Sequence, residues 1–228
     1  MKLTFNPPAV GQVRIEGLTA SQLASLTPPG RGLILGVTGG IGCGKSAVTA
    51  TLARLGAVVA DADKLGHDLL HADTEAGKEI IARFNVEVAP SGEISRPSLA
   101  AAVFGNKQAV ADLNAITHPR IRAQARQILA AVPDGGLGVY DAALIIEGGM
   151  KDMVDALMVV TAPEEKRLHL LQQHRGIARA EALARIGHQM PESERFRHAD
   201  VAVYNYGSLP DLQAGVRAWG EDVLAALH

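Results

Sequence analysis

The chain has 228 residues, 47% of them hydrophobic and 20% charged, which suits one α/β domain with embellishments and a real core. Its formal net charge of −2 offers no general surface for nucleic acid or an anionic membrane, so neither is expected as a partner. The single cysteine permits no internal disulfide, no apolar run is long enough for a bilayer, and Met1-Lys2-Leu3-Thr4-Phe5-Asn6-Pro7-Pro8 lacks the apolar core of a secretion signal, so the expected compartment is the cytoplasm.

Residues 1–30 read as an extension, bounded by Pro7-Pro8 and Pro28-Pro29-Gly30 and packed on the domain or partly ordered. Within it Gln12-Val13-Arg14-Ile15 suits a short strand, and Thr19 or Ser21 can cap a helical turn through Leu26. A domain spanning residues 31–228 follows. Its first apolar, β-prone run, from Leu33, leads into Gly39-Gly40-Ile41-Gly42-Cys43-Gly44-Lys45-Ser46, the pattern G-x-x-x-x-G-K-S, and a helical pattern comes after. The glycines let the backbone turn its N–H groups inward without Cβ atoms in the way, and the helix adds its positive dipole end. Lys45 then reaches the β- and γ-phosphates, and the Ser46 hydroxyl helps to hold Mg²⁺. The pattern identifies a nucleotide-binding loop, with ATP and Mg²⁺ as the expected ligands.

The helix ends near Gly56. Ala57-Val58-Val59-Ala60 is a short buried strand that delivers Asp61-Ala62-Asp63 at its carboxyl end, where open parallel sheets bind ligands. Either aspartate can cap the helix that follows. For Asp61 capping and a direct role stand level, while position and charge favour chemistry for Asp63. Residues 64–132 are mainly helical, apart from Asn85-Val86-Glu87-Val88, and suggest an inserted substrate-binding segment. Leu99, Val103 and Phe104 make one apolar face there and Val110, Leu113 and Ile116 another, while Pro119 predicts the first turn of a new helix through Leu129.

A third strand, Leu137-Gly138-Val139-Tyr140-Asp141, ends in a carboxylate placed to orient magnesium. Ala156-Leu157-Met158-Val159-Val160-Thr161 is a fourth strand, and a charged helical stretch over residues 164–190 follows it. Val201-Ala202-Val203-Tyr204-Asn205 is a fifth, before a closing helix that places Trp219 in the core. Strands alternating with helices predict five parallel strands flanked by helices. Most of the eight histidines, His67, His71 and His188 among them, show no metal-ligand spacing and read as surface or packing residues.

These landmarks, with His118-Pro119-Arg120-Ile121, Asp141-Ala142-Ala143-Leu144-Ile145-Ile146-Glu147, Arg185-Ile186 with Gln189-Met190, and Asn205-Tyr206-Gly207, resemble the dephospho-coenzyme A kinases over nearly the whole chain past the extension. The resemblance implies a P-loop kinase fold with a helical CoA-binding insertion and a lid over residues 164–190. It implies transfer of the ATP γ-phosphate to the ribose 3′-hydroxyl of dephospho-CoA. Asp63 becomes the base at that hydroxyl, and His118 and Arg122 fall in the CoA-binding segment, with Asp61 also on the substrate side. Asn205 and Gly207 sit beside adenine, and Arg185 belongs to the lid. The chain departs from the family pattern at Cys43, at Ala143 where proline is usual, at Leu170 and His174, where the lid spacing calls for arginines, and at Arg175, where Asp or Asn usually precedes the glycine matched to Gly176. Histidine does not replace an arginine fork on phosphate. The altered lid keeps two other readings open: a kinase of the same fold with another small acceptor, or a regulatory protein that binds nucleotide without efficient catalysis.

Overall fold

A computed structural model describes residues 3–228, so Met1 and Lys2, at the head of the stretch read as lacking a secretion signal, lie outside it. Two compact units emerge. One comprises the chain up to Ala60 together with Leu129–His228, and the other is Asp61–Ile128.

The first unit is built on a sheet of six strands: β1 (Val13–Gly17), β2 (Leu33–Gly39), β3 (Val58–Asp61), β4 (Leu137–Asp141), β5 (Ala156–Thr161) and β6 (Val201–Asn205). Their order across the sheet is β1-β6-β5-β2-β4-β3. β2 runs parallel to both β4 and β5, and β5 runs parallel to β6. Each of these four strands is buried at every residue, which is why they read as unbroken apolar runs rather than alternating ones. The chain goes from β2 to one side for β3 and β4 and then crosses to β5 on the other, so the carboxyl end of β2 is a topological switch point.

The count is six rather than five because the extension supplies β1, antiparallel to β6 with Ile15 opposite Val203. Gly17 closes the pairing, and Thr19 then caps α1 (Ala20–Leu26) in a reciprocal capping box with Gln22. Leu23 of α1 is fully buried in the main core with Leu33, Leu35, Val203 and Val216. The extension is therefore part of the core, and its apolar spacing was too short to announce that. α2 (Lys45–Arg54) and α10 (Leu209–Leu227) pack on the same core, with Trp219 partly buried against it. Between β5 and β6 come α7 (Glu164–Arg175), α8 (Arg179–Gly187) and α9 (Glu192–Phe196).

The second unit holds α3 (Ala62–Asp68), α4 (Glu75–Phe84), α5 (Arg96–Val103) and most of α6 (Lys107–Leu129). Thr74 and Ser95 cap α4 and α5. Ile80, Val86, Ile94 and Leu99 form its core, with Val103, Leu113 and Ile116 packed on them. Phe104 and Val110, assigned to apolar faces in the sequence, are 90% and 42% exposed, because α5 ends before Phe104 and Val110 points away from that cluster. The stretch expected as a strand at residues 85–88 makes only an isolated bridge from Val88 to Ile94. Pro119 also behaves differently from expectation. It lies inside the continuous α6, whose buried positions continue past the proline to Ala125. Packing on both sides outweighs a break that costs about 3 kcal/mol in an unsupported helix.

Candidate active site

β2 ends at Gly39 and α2 starts at Lys45, so the glycine-rich pattern forms the loop between a central strand and a helix N-terminus. Gly44 is the N-cap with φ of 95°, a left-handed conformation that glycine adopts without strain, and no side chain caps this helix end. The positive dipole end of α2 thus remains available to an anion, while the Ala47 N–H already donates to the Gly44 carbonyl at 3.0 Å. Ser46 is exposed in that first turn.

The Lys45 ammonium pairs with the Asp141 carboxylate at the end of β4, and Thr49 Oγ1 donates to the other Asp141 oxygen at 2.8 Å. Asp141 is 3% exposed and stands beside Val37 in the β2–β4 register. The structure thus brings together three of the residues singled out in the sequence: Lys45, Ser46 by its place on α2, and Asp141. Thr49 was missed, although its spacing of one helical turn from Lys45 on an amphipathic helix was a usable signal.

Cys43 is buried in the loop, and burial pushes its thiol up to about 11. A raised thiol pKa keeps the group neutral at every pH below that value, so it is a packing residue rather than a nucleophile. Iodoacetamide at about pH 8 is expected to leave the folded protein unmodified and to alkylate it fully once unfolded, as mass spectrometry would show. Rapid alkylation of folded protein contradicts this placement.

On the other flank, Asn205 closes β6. Its Nδ2 donates to the Cys43 carbonyl at 2.9 Å, tying the expected base-side turn to the phosphate loop. Lys166 of α7 donates to the Asn205 carbonyl (3.1 Å), to Asn205 Oδ1 (2.5 Å) and to the Gly207 carbonyl (2.6 Å), and burial lowers its pKa. Gly11 of the extension donates its N–H to the Tyr206 carbonyl at 2.8 Å. Neither Lys166 nor Gly11 carried any signal in the sequence, because Gly11 meets this turn through a backbone oxygen and two of the three Lys166 bonds also go to backbone oxygens.

The run from residue 164 to 185 has the composition of a solvated helix face, and Arg167 departs from it. This side chain is 5% exposed, donates from Nε to the Ile41 carbonyl at 2.8 Å and pairs with Glu192 at 3.2 Å. Gln189 Oε1 accepts from the Ile41 N–H at 2.8 Å and from Arg167 Nη2 at 3.1 Å. Arg185, expected on the lid, pairs with Glu181 one turn away on an exposed face of α8. Arg179 is engaged by Glu165 through two bonds of 2.9 and 2.7 Å. Leu170 is half-buried, whereas His174 and Arg175 are exposed in the last turn of α7 before Gly176.

In the second unit Asp61 is the N-cap of α3, accepting from the Lys64 N–H at 3.0 Å, so the capping alternative describes its geometry. Asp63 sits in the first turn of the same helix and is exposed. His118 and Arg122 are one turn apart on α6, both half-buried. Burial and then the Arg122 charge lower the His118 pKa, keeping the imidazole neutral near pH 7. Arg96 bonds His67, and the described residues contain no group of three or more His, Cys, Asp or Glu arranged to hold a metal.

A sequence model of the family described as dephospho-CoA kinase matches residues 33–211. The dephospho-CoA kinase of Frankia casuarinae is 40% identical over 192 residues, covering 84% of this chain and 83% of that protein. The one from Corynebacterium jeikeium is 39% identical over 82% of this chain and 98% of its own length. Among solved structures, a Thermus thermophilus protein superposes with a TM-score of 0.70 at 31% identity, covering 82% of this chain and 96% of that one. The dephospho-CoA kinase from Campylobacter jejuni does so with a TM-score of 0.57 at 25% identity, covering 84% and 97%.

Proposed function

The chain belongs to the dephospho-CoA kinase family, and from that premise we propose that it transfers the γ-phosphate of ATP to the 3′-hydroxyl of dephospho-CoA, giving coenzyme A and ADP. The observation that carries this reading is the Lys45–Asp141–Thr49 cluster at the root of a helix N-terminus with no side-chain cap, where a nucleotide's phosphates find a cation and the positive end of the helix dipole. Phosphoryl transfer leaves little covalent work for a protein, so positioning and charge neutralisation dominate.

The loop backbone from Gly39 to Ser46, including Gly40, Ile41, Gly42, Cys43 and Gly44, cradles the phosphates, and Lys45 neutralises charge on the transferring group. Asn205 and Gly207 border the base. Asp63 orients the acceptor hydroxyl and takes its proton, with Asp61, His118, Arg122 and Arg185 on the substrate side. A magnesium ion fits the hard oxygen donors present, the Ser46 hydroxyl and the Asp141 carboxylate. When bound to such a pair and to phosphate oxygens it supplies charge neutralisation. We place the protein in the cytoplasm. No helix among the described residues is long and apolar enough to cross a membrane, and the modest net charge argues against nucleic-acid partners.

A coupled ADP-release assay with ATP, Mg²⁺ and dephospho-CoA tests the reading. Turnover that depends on dephospho-CoA is expected. ADP release with a different hydroxyl acceptor instead, or ATP binding with no transfer at all, overturns it in favour of one of the two other readings.

A further inference from the structure

We infer that Gln189 and Arg167 form a clamp that sets the geometry of the phosphate loop, and that nucleotide affinity depends on them. The inference rests on the loop's being the nucleotide site. Ile41 stands at the turn of that loop, and both of its backbone polar groups are taken by side chains from the β5–β6 connection. Gln189 accepts its N–H and Arg167 donates to its carbonyl. The third side of the triangle is the bond from Arg167 Nη2 to the same Gln189 oxygen. The three bonds hold the two peptide planes on either side of Ile41 in one orientation.

The seat of the guanidinium is equally specific. A Cβ built on Gly40 falls 2.5 Å from Arg167 Nη2 and 2.9 Å from its Cζ, so Gly40 is open because the arginine occupies that space. Arg167 is in turn held by Glu192, which also pairs with the buried Arg195 at 3.2 Å. Peptide orientation matters in such a loop because the ligand is bound through backbone N–H groups, whose direction follows the peptide planes. The Gln of the Arg-Ile-x-x-Gln landmark thereby acquires a role: it positions the loop. The clamp also joins the loop to the α7–α9 connection, so a displacement of that connection is transmitted to Ile41.

The test uses the full chain, with ATP-analogue binding and steady-state kinetics measured side by side. Gln189→Leu is expected to raise the KM for ATP and the Kd of a non-hydrolysable ATP analogue about tenfold. The KM for dephospho-CoA and the melting temperature should hardly move. Gly40→Ala should weaken analogue binding by a similar factor in the natural background. In an Arg167→Met background, where the seat is vacated and Glu192 still has Arg195, Gly40→Ala should add less than about twofold. Equal losses in both backgrounds, or a Gln189→Leu protein with unchanged analogue binding, overturn the clamp. A natural protein that binds the analogue but does not phosphorylate dephospho-CoA refutes the substrate assignment alone, because the binding comparisons still decide the clamp.

Discussion

Lys45→Met is expected to lower kcat with dephospho-CoA about a thousandfold, the scale set by removing one preorganised electrostatic donor from a reacting centre. Lys45 begins the helix behind the phosphate loop, and in the structure its ammonium is partnered by Asp141. A nucleotide's phosphates compete for that charge, so the lysine must be held at the end of a buried strand and yet be able to turn toward the loop. Methionine keeps the stem and its packing while deleting the charge. It also removes the ion pair between Lys45 and the buried Asp141 carboxylate, so part of the effect will register as lost stability. Adding Asp141→Asn separates the two contributions. The neutral amide no longer needs the cation, so the double variant should recover much of the melting temperature but none of the turnover. A Lys45→Met protein with kcat within about tenfold of the natural one would remove the lysine from the chemistry.

The second large effect is expected from Asp63→Asn. General-base contributions run from about a hundredfold to ten-thousandfold, so kcat should fall by that order while the Kd for an ATP analogue stays within about twofold. The Asp63 side chain makes no hydrogen bond among the described residues and lies exposed in the first turn of α3, so the amide should fold normally. The neighbouring carboxylate provides the control. Asp61→Ala removes the cap of α3, with its bond to the Lys64 N–H, and is expected to cost about 1 kcal/mol of stability, read from denaturant unfolding. If Asp63→Asn retains kcat and Asp61→Ala abolishes it with little change in stability, the two roles have been exchanged and Asp61 is the base.

Much of the molecule was legible because its signals are local. Buried parallel strands such as β5 are continuous β-branched and apolar runs, and Gly-Lys-Ser after such a run is readable from eight residues. The Ser208 and Asp211 capping box, like the Thr19 and Gln22 one, is written in residues three apart. Other features failed for equally physical reasons. Pro119 was read as a boundary because intrinsic propensity is local, whereas apolar packing along both halves of α6 overrode it. Phe104 fits a helical apolar stripe by spacing, but α5 stops one residue earlier and leaves it in solvent.

The altered lid shows the same division. Sequence comparison with the family pattern exposed Leu170 and His174 as departures, and Arg175 and Arg179 are the arginines that follow them in the chain. The fold narrows this pair, because Arg179 is already bound bidentately by Glu165, while Arg175 ends α7 in solvent. Arg167, eight residues before Arg175, is indistinguishable from it by composition and is nevertheless buried against the phosphate loop.

By itself, then, the sequence determined the α/β class, the strand that carries the loop, the phosphate-binding pattern and the family. Those depend on residue type and on spacing within a few turns of chain. Only the tertiary structure decided that the extension joins the sheet through β1, that Asp141 faces Lys45, and that Asn205, Lys166, Arg167 and Gln189 converge on the loop. Those contacts link residues tens to well over a hundred positions apart, many of them through backbone oxygens and N–H groups that every residue type possesses. Nothing in side-chain identity marks such a partner, so it becomes visible only once the sheet order has brought the strand ends together.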